Sequence, residues 1–324
     1  MSKKISIVLI CFNQEDYIVE ALDGVRNQTE TPHQVIIADD ASKDKTQAII
    51  RDYVNKYALY HWTLLLSEKN RGITENLQRG LKECTGEIII AMAGDDISLP
   101  ERCAITDELF SRNPQVNVVA NSGYIINSSG EITGERNEED ALNISDVVKV
   151  IRFGFPGIHP VGQAFRSVIF SKYGPLPLDV PNEDDQLSFR GIVDGGILTS
   201  SIKTYKYRVH EQSASSWIRN KQSSDEFYRR FTQDMVVRER HMRHWITCIQ
   251  ISPAVDKEYL TSLLKSKITL YEILSGKLSF NIFQKISFLL KNRAAICTRE
   301  QVYLLFGKSG VLGWRKARHI LGKV

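Results

Sequence analysis

The chain has 324 residues, 42% apolar and 25% charged, with a net charge of +4. That length buries a sizeable core and suits one large domain with an appendage, in a composition ordinary for a soluble globular protein. Five cysteines without CxxC spacing exclude a disulfide framework or zinc knuckle and point to reduced thiols in a cytosolic setting.

The charge is unevenly spread. Residues 1–217 carry 22 Lys and Arg against 30 Asp and Glu, a net −8; residues 218–324 carry 20 against 8, a net +12. Such a split predicts two regions facing different partners. The N-terminus has two lysines, then a short apolar run with no small-residue cleavage site, and reads as a first strand rather than a signal peptide. No apolar run approaches the roughly 18 residues of a membrane span, so a cytoplasmic protein is expected.

Ile5 to Phe12 is apolar throughout, as a strand covered on both faces would be. A polar turn, Asn13 to Asp16, leads into a helix from Tyr17 to Arg26. Gln34 to Ala38 is a second strand, ending in Asp39-Asp40-Ala41-Ser42, and Ser42 and Asp44 can cap a helix over Thr46–Tyr57. A third strand, His61–Leu66, precedes a helix from Ile73 to Cys84. A fourth, Ile88 to Met92, runs into Ala93-Gly94-Asp95-Asp96. This alternation predicts a parallel, doubly wound sheet.

Three strand ends thus deliver polar residues: Asn13, Asp39/Asp40 and Asp95/Asp96. In a parallel sheet those ends share one edge, where ligands bind. The adjacent carboxylates repel each other, so either a divalent cation sits between them and an anionic ligand, or Asp96 or Ser98 caps a helix starting near Pro100. There is no GxGxxG after the first strand and no GxxxxGK[ST], against a dinucleotide fold or a P-loop. A phosphate held here would need metal and side chains such as Arg71.

A helix is expected from Pro100 to about Arg112, stopped by Asn113-Pro114, then strands over Val116–Ala120 and Gly123–Ile126. Glu135 to Asp140 reads as a solvated acidic loop. Glu183-Asp184-Asp185 opens a helical segment, its charge favoured at the helix N-terminus. Ile202 to Val209 is a strand candidate ending at His210. Beyond Trp217, helices are expected over Ser223–Ile249, Val255–Leu274, Phe280–Leu290 and Arg299–Phe306. Phe283, Ile286, Phe288, Leu289 and Leu290 form an apolar patch beside Lys285, Lys291 and Arg293, suited to packing on the main domain or a second subunit, or to peripheral contact with the inner face of a membrane. Basic and aromatic residues are not interleaved on a recognisable module, against nucleic acid.

Taken in order, SIVLICFN at Ser6–Asn13, IADDASKDKT at Ile37–Thr46, NRGITENLQRGLKECTGEIIIAMAGDD at Asn70–Asp96, LPER at Leu99–Arg102, EDDQLSFR at Glu183–Arg190 and YRVHEQSAS at Tyr207–Ser215 resemble the family 2 inverting glycosyltransferases of GT-A fold. The likeness covers about residues 4–217, and no match extends over 218–324. It implies an α/β/α sandwich with a nucleotide half near 1–100, an acceptor half near 101–217 and a mainly helical C-terminal region. It implies, too, transfer of a sugar from a nucleotide diphosphate sugar, a UDP-sugar by family habit, to a hydroxyl of a glycan or lipid-linked glycan, in surface polysaccharide assembly.

By position, Asp40 would accept from the base, with Asp39, Arg71, Ile10 and Asn13 beside the nucleotide. Asp96 would bind Mn²⁺ or Mg²⁺, Asp95 the ribose or metal, and His210 the metal or diphosphate. Asp184 would be the catalytic base, with Asp185 its rival. Gly94 departs from the family pattern, in which many members carry an acid there. Two other readings remain at this point: a sugar-phosphate nucleotidyltransferase, which would want a Gly-rich basic loop after the first strand, and a non-catalytic nucleotide-sugar-binding module, which would tolerate loss of an acid position.

Overall fold

A computed structural model describes residues 4–140, 143–154, 158–181, 183–210, 223–252 and 256–320, with side chains to 315. The chain forms two compact units, Met1–Ser145 with Gly157–Ile218, and Asp146–Pro156 with Arg219–Val324.

The first unit begins with β1 (Ile5–Cys11), α1 (Ile18–Arg26), β2 (Gln34–Asp39), α2 (Thr46–Lys56), β3 (Thr63–Leu66), α3 (Ile73–Glu83) and β4 (Ile88–Ala93). These four strands are parallel, in the order β3-β2-β1-β4. Ile7, Leu9, Ile37 and Ile90 are buried to the last few per cent, as expected for strands covered by helices on both faces. Register then fixes where the strands stop: Cys11 pairs with Asp39, Asp39 with Leu66 and Ile10 with Ala93, so all four strands end along one line.

Beyond β4 the sheet becomes mixed. β5 (Ile97–Ser98), α4 (Arg102–Arg112), β6 (Val118–Ile126), β7 (Ile132–Arg136) and β8 (Asn143–Ile144) follow. In the second unit, α5 is Val147–Phe153; back in the first lie β9 (Gln163–Arg166), α6 (Val168–Tyr173), α7 (Glu183–Ile192) and β10 (Ile197–Arg208). β9 inserts antiparallel between β4 and β6, and β10 runs parallel to β6 on its other side.

Several expectations are corrected. The two expected strands are one, Val118–Ile126, because the intervening Asn121 and Ser122 are buried and pair with Ser200 and Lys203 of β10 across a shift in register. The acidic run is not wholly loop: Glu135 and Arg136 belong to β7 and pair with β6. Ser98 pairs with Tyr205 in β5, and α4 starts after Glu101, so neither Asp96 nor Ser98 caps it. The helix expected from Tyr17 starts one residue later.

In the second unit α8 (Ser224–Ile251) and α9 (Lys257–Leu274) pack together, burying Met242, Trp245 and Ile249 on one and Leu260, Leu264 and Tyr271 on the other. α10 (Ile282–Lys291) and α11 (Thr298–Ile320) complete it, the latter interrupted at Gly307, whose φ of 54° leaves the helical region. The starts of α8, α9 and α10 are each marked by a side chain: Ser223, Asp256 and Asn281 accept from the backbones of Glu226, Tyr259 and Gln284. The core ion pair is Lys267 with Glu300; its Nζ also donates to Arg152 O, and Tyr271 Oη to Glu300. Val255, the expected start of the α9 segment, lies outside the described residues.

Candidate active site

The aligned strand ends open into a cleft of about 490 Å³, lined by residues including Ile10, Phe12, Asn13, Gln14, Asp40, Asn70, Asn76, Asp95 and His210. The loops after β1 and β2 are stitched together. Asn13 adopts φ 52°, tolerable for asparagine; its N–H donates to Ser42 Oγ and its Oδ1 accepts from Lys43 N, both at 2.8 Å. Gln14 N donates to Thr46 Oγ1 and Glu15 N to Asp44.

The two aspartates after β2 point different ways. Asp39 is fully buried and accepts from Ser42 N, Ser42 Oγ and Gln47 Nε2, which holds the turn from within. It does not line the cleft. Asp40 does, and its oxygens accept from Arg71 N and Gly72 N, each at 2.8 Å. Those N–H groups precede the first turn of α3, so Asp40 serves as a cap from another strand. A carboxylate has about four lone-pair directions, and this arrangement leaves acceptor capacity toward the cleft. Gly72 takes φ 88°, a backbone that side chains other than glycine's rarely adopt. Arg71 sends its guanidinium to Glu75 at 2.7 Å on the surface and meets the site through its backbone alone.

The turn after β4 is held by β10. Arg208, with no exposed side-chain area, donates from Nε to Asp95 O, from Nη1 to Asn127 O and Ser128 O, and from Nη2 to Glu20 at 2.9 Å. Its backbone N–H donates to Asp96 Oδ1 at 2.9 Å. Two residues on, His210 Nε2 lies 3.0 Å from Asp95 Oδ2 and its ring tilts against Tyr17. Asp95 and His210 face the cleft, whereas Asp96 is buried behind them. Burial, then the charge of Asp95, raises the Asp96 carboxyl well above the usual range, against the pull of Arg208 N–H and of the buried Arg102 and Arg208 charges.

Gly94 is required by packing. A Cβ there would stand 2.5 Å from Gln14 Oε1 and 2.9 Å from both Cys11 Cβ and Ile18 Cδ1. The space an acidic side chain would need is filled by Gln14.

Asp184 sits half-buried in the first turn of α7 with Glu183 and Asp185. It is not among the residues lining the cleft, but its approach is tied there: Thr74, next to the lining residue Ile73, lies 3.4 Å through Oγ1 from Val180 O, just before α7. Burial raises the Asp184 carboxyl, opposed by backbone N–H groups of the helix start. Glu183 is pushed up to about 7 by burial and then by the Asp184 charge.

The carboxylate of Asp95 suits Mn²⁺ or Mg²⁺, which prefer carboxylate, carbonyl and water oxygens, and the His210 imidazole favours Mn²⁺ of the two. Among the described residues no three His, Cys, Asp or Glu side chains form a ready cage. Arg208, Arg102 and Gln14 are absent from the sequence-based site. Their only advance signal is membership in, or adjacency to, the matched segments. The rest of the YRVHEQSAS segment after His210 lies outside the described residues.

A family model described as Glycosyl transferase family 2 matches residues 6–174. An uncharacterised protein of Mycobacterium tuberculosis is 38% identical over 212 residues, covering 63% of this chain and 59% of that relative's length. S. aureus TarS 1–349 in complex with UDP-GlcNAc superposes with a TM-score of 0.63 at 15% identity, covering 99% of this chain and 92% of that one. A mannosyltransferase from Pyrobaculum calidifontis in complex with GDP-Man and Mn²⁺ reaches 0.50 at 15% identity, over 100% and 89%. These two share the fold. The match over more than half the chain, on a GT-A-type sheet, settles the family: this protein belongs to glycosyl transferase family 2.

Proposed function

We propose that the enzyme transfers a sugar from a UDP-sugar to a hydroxyl of a glycan or glycolipid, with inversion and with Mn²⁺ or Mg²⁺, in surface polysaccharide assembly. The observation that carries this reading is the convergence of Asp40, Asp95 and His210, from three distant segments, on one cleft.

Asp40, aimed by Arg71 N and Gly72 N, would accept from a base that presents an N–H, as uracil does at N3. Asn13 and Ile10 border the nucleotide, while Asp39 acts from inside the turn. Asp95 and His210 would hold the cation together with diphosphate oxygens. Asp96, expected to bind the cation itself, is instead buried behind the cleft lining with its Oδ1 taken by Arg208 N. When bound, such an ion neutralises charge building on the departing nucleoside diphosphate as a Lewis acid. Asp184 takes the acceptor proton as the acceptor oxygen bonds to the anomeric carbon and the bond to the diphosphate breaks. A carboxyl raised by burial is a better base than an exposed one, and general-base help is typically worth about 10²- to 10⁴-fold.

The bound donors of the two structural neighbours support a nucleotide sugar, one a uridine and one a guanosine compound. The experiment is transfer assayed with a panel of nucleotide sugars, with and without EDTA and added Mn²⁺. Activity with a UDP-sugar, lost on chelation and in Asp184→Asn, is expected. Full activity in EDTA refutes the metal role, and full activity of Asp184→Asn refutes the base.

A further inference from the structure

We propose that α10 is a docking helix for an anionic membrane surface, its Ile282, Phe283, Ile286 and Leu290 face entering the boundary between headgroups and acyl chains. At about 100° per residue, Phe283, Ile286 and Leu290 fall within an arc of about 60°, with Ile282 at its edge. All four side chains are exposed, Phe283 at 79% and Leu290 at 68%, and no residue of α10 is buried. Phe288 and Asn292 lie on the opposite, half-buried side, with half-buried Lys285 and Leu289 between them and Ile282, and Asn292 meets Ser266 of α9 at 2.6 Å. The helix is therefore held to its unit by one side and presents a second apolar side outward. It is also well formed, with Asn281 and Gln284 closing a reciprocal cap.

Charge identifies the occupant. Residues 280–324 carry nine Lys and Arg, among them Lys291 and Arg293 at the end of α10, against a single acid, Glu300. That acid is consumed in the buried pair with Lys267. An apolar helix face with Lys291 and Arg293 at its C-terminal end, in a segment otherwise almost free of acids, fits the interface of a bilayer rich in anionic lipid, where each nearby Lys or Arg adds attraction. A second copy of the chain fits less well. A ten-residue helix is about 15 Å long and about 10 Å across, a footprint far below the roughly 800 Å² per partner of a stable protein interface.

The test uses the full chain and co-sedimentation with vesicles, and needs no sugar transfer, so its failure is separable from failure of the proposed reaction. Binding is expected to equimolar phosphatidylglycerol and phosphatidylcholine, weakening with salt, with little binding to phosphatidylcholine alone. Phe283→Ser with Leu290→Ser should weaken binding by about tenfold or more without changing the melting temperature, since neither side chain is buried. Lys291→Glu with Arg293→Glu should weaken it and flatten its salt dependence. Absence of binding by the parent, undiminished binding by the serine variant, or self-association in light scattering that the serine variant removes in the absence of vesicle binding overturns the proposal.

Discussion

His210 Nε2 lies 3.0 Å from Asp95 Oδ2, joining the end of β10 to the turn after β4 across a separation of 115 residues. The contact depends on Arg208, which bonds the backbone of the same turn and carries His210 into place. His210→Ala should therefore lower transfer by about 10- to 100-fold, the usual cost of losing a ligand or its support, and should raise the Mn²⁺ concentration needed for half activity. Steady-state rates across a Mn²⁺ titration decide this; an unchanged titration curve denies His210 a part.

Asp40 carries both a structural and a binding duty. Asp40→Ala strands the Arg71 and Gly72 N–H groups at the start of α3 and should cost about 1–3 kcal/mol, visible in a denaturant melt, while weakening nucleotide binding. Asp39→Ala, by contrast, should destabilise through the loss of its bonds to Ser42 and Gln47, with affinity in the surviving folded protein largely kept. Equal affinity losses in calorimetry would contradict this division.

Gly94 leaves no room for a Cβ. Gly94→Ala should cost about 1–3 kcal/mol by overpacking, and Gln14→Ala in the same chain should recover part of it, since Cys11 and Ile18 crowd the position as well. Additive melting-point losses in the double variant would rule out the clash with Gln14.

Glu183 predicts a pH effect. Its carboxyl rises from 4.5 in the open chain to about 7 on folding. A group raised by folding stabilises fully below its unfolded pKa and loses that contribution as pH climbs through the folded one. Thermal stability should thus decline between about pH 4.5 and about pH 7, and Glu183→Gln should make the decline shallower. Parallel curves for parent and variant would show that Glu183 does not carry it.

The parallel half of the sheet is legible in the sequence because each strand is an apolar run closed by a polar turn and followed by helical spacing. Asn13, Asp40 and Asp95 are legible for the same reason, since strand ends predict where their residues meet. β5 is too short to have a period, and β6 hides behind Asn121 and Ser122, polar residues whose burial is decided by β10. Arg208 is harder still: an arginine in a strand reads as exposed, and here Asp95, Asn127, Ser128 and Glu20 must all arrive before its burial is tolerable. Asp39 reads like its neighbour, and only the turn geometry turns it inward.

The antiparallel insertion of β9 makes β4 and β6 parts of one continuous hydrogen-bonded sheet. If residues near 1–100 bind the donor and those near 101–217 the acceptor, as the sequence leads one to expect, the two portions share one sheet rather than meeting at a hinge. Cargo exchange would have to proceed by rearrangement at the rim, and a change of substrate preference would be sought in the turns that border the mouth rather than in the alignment of the two portions.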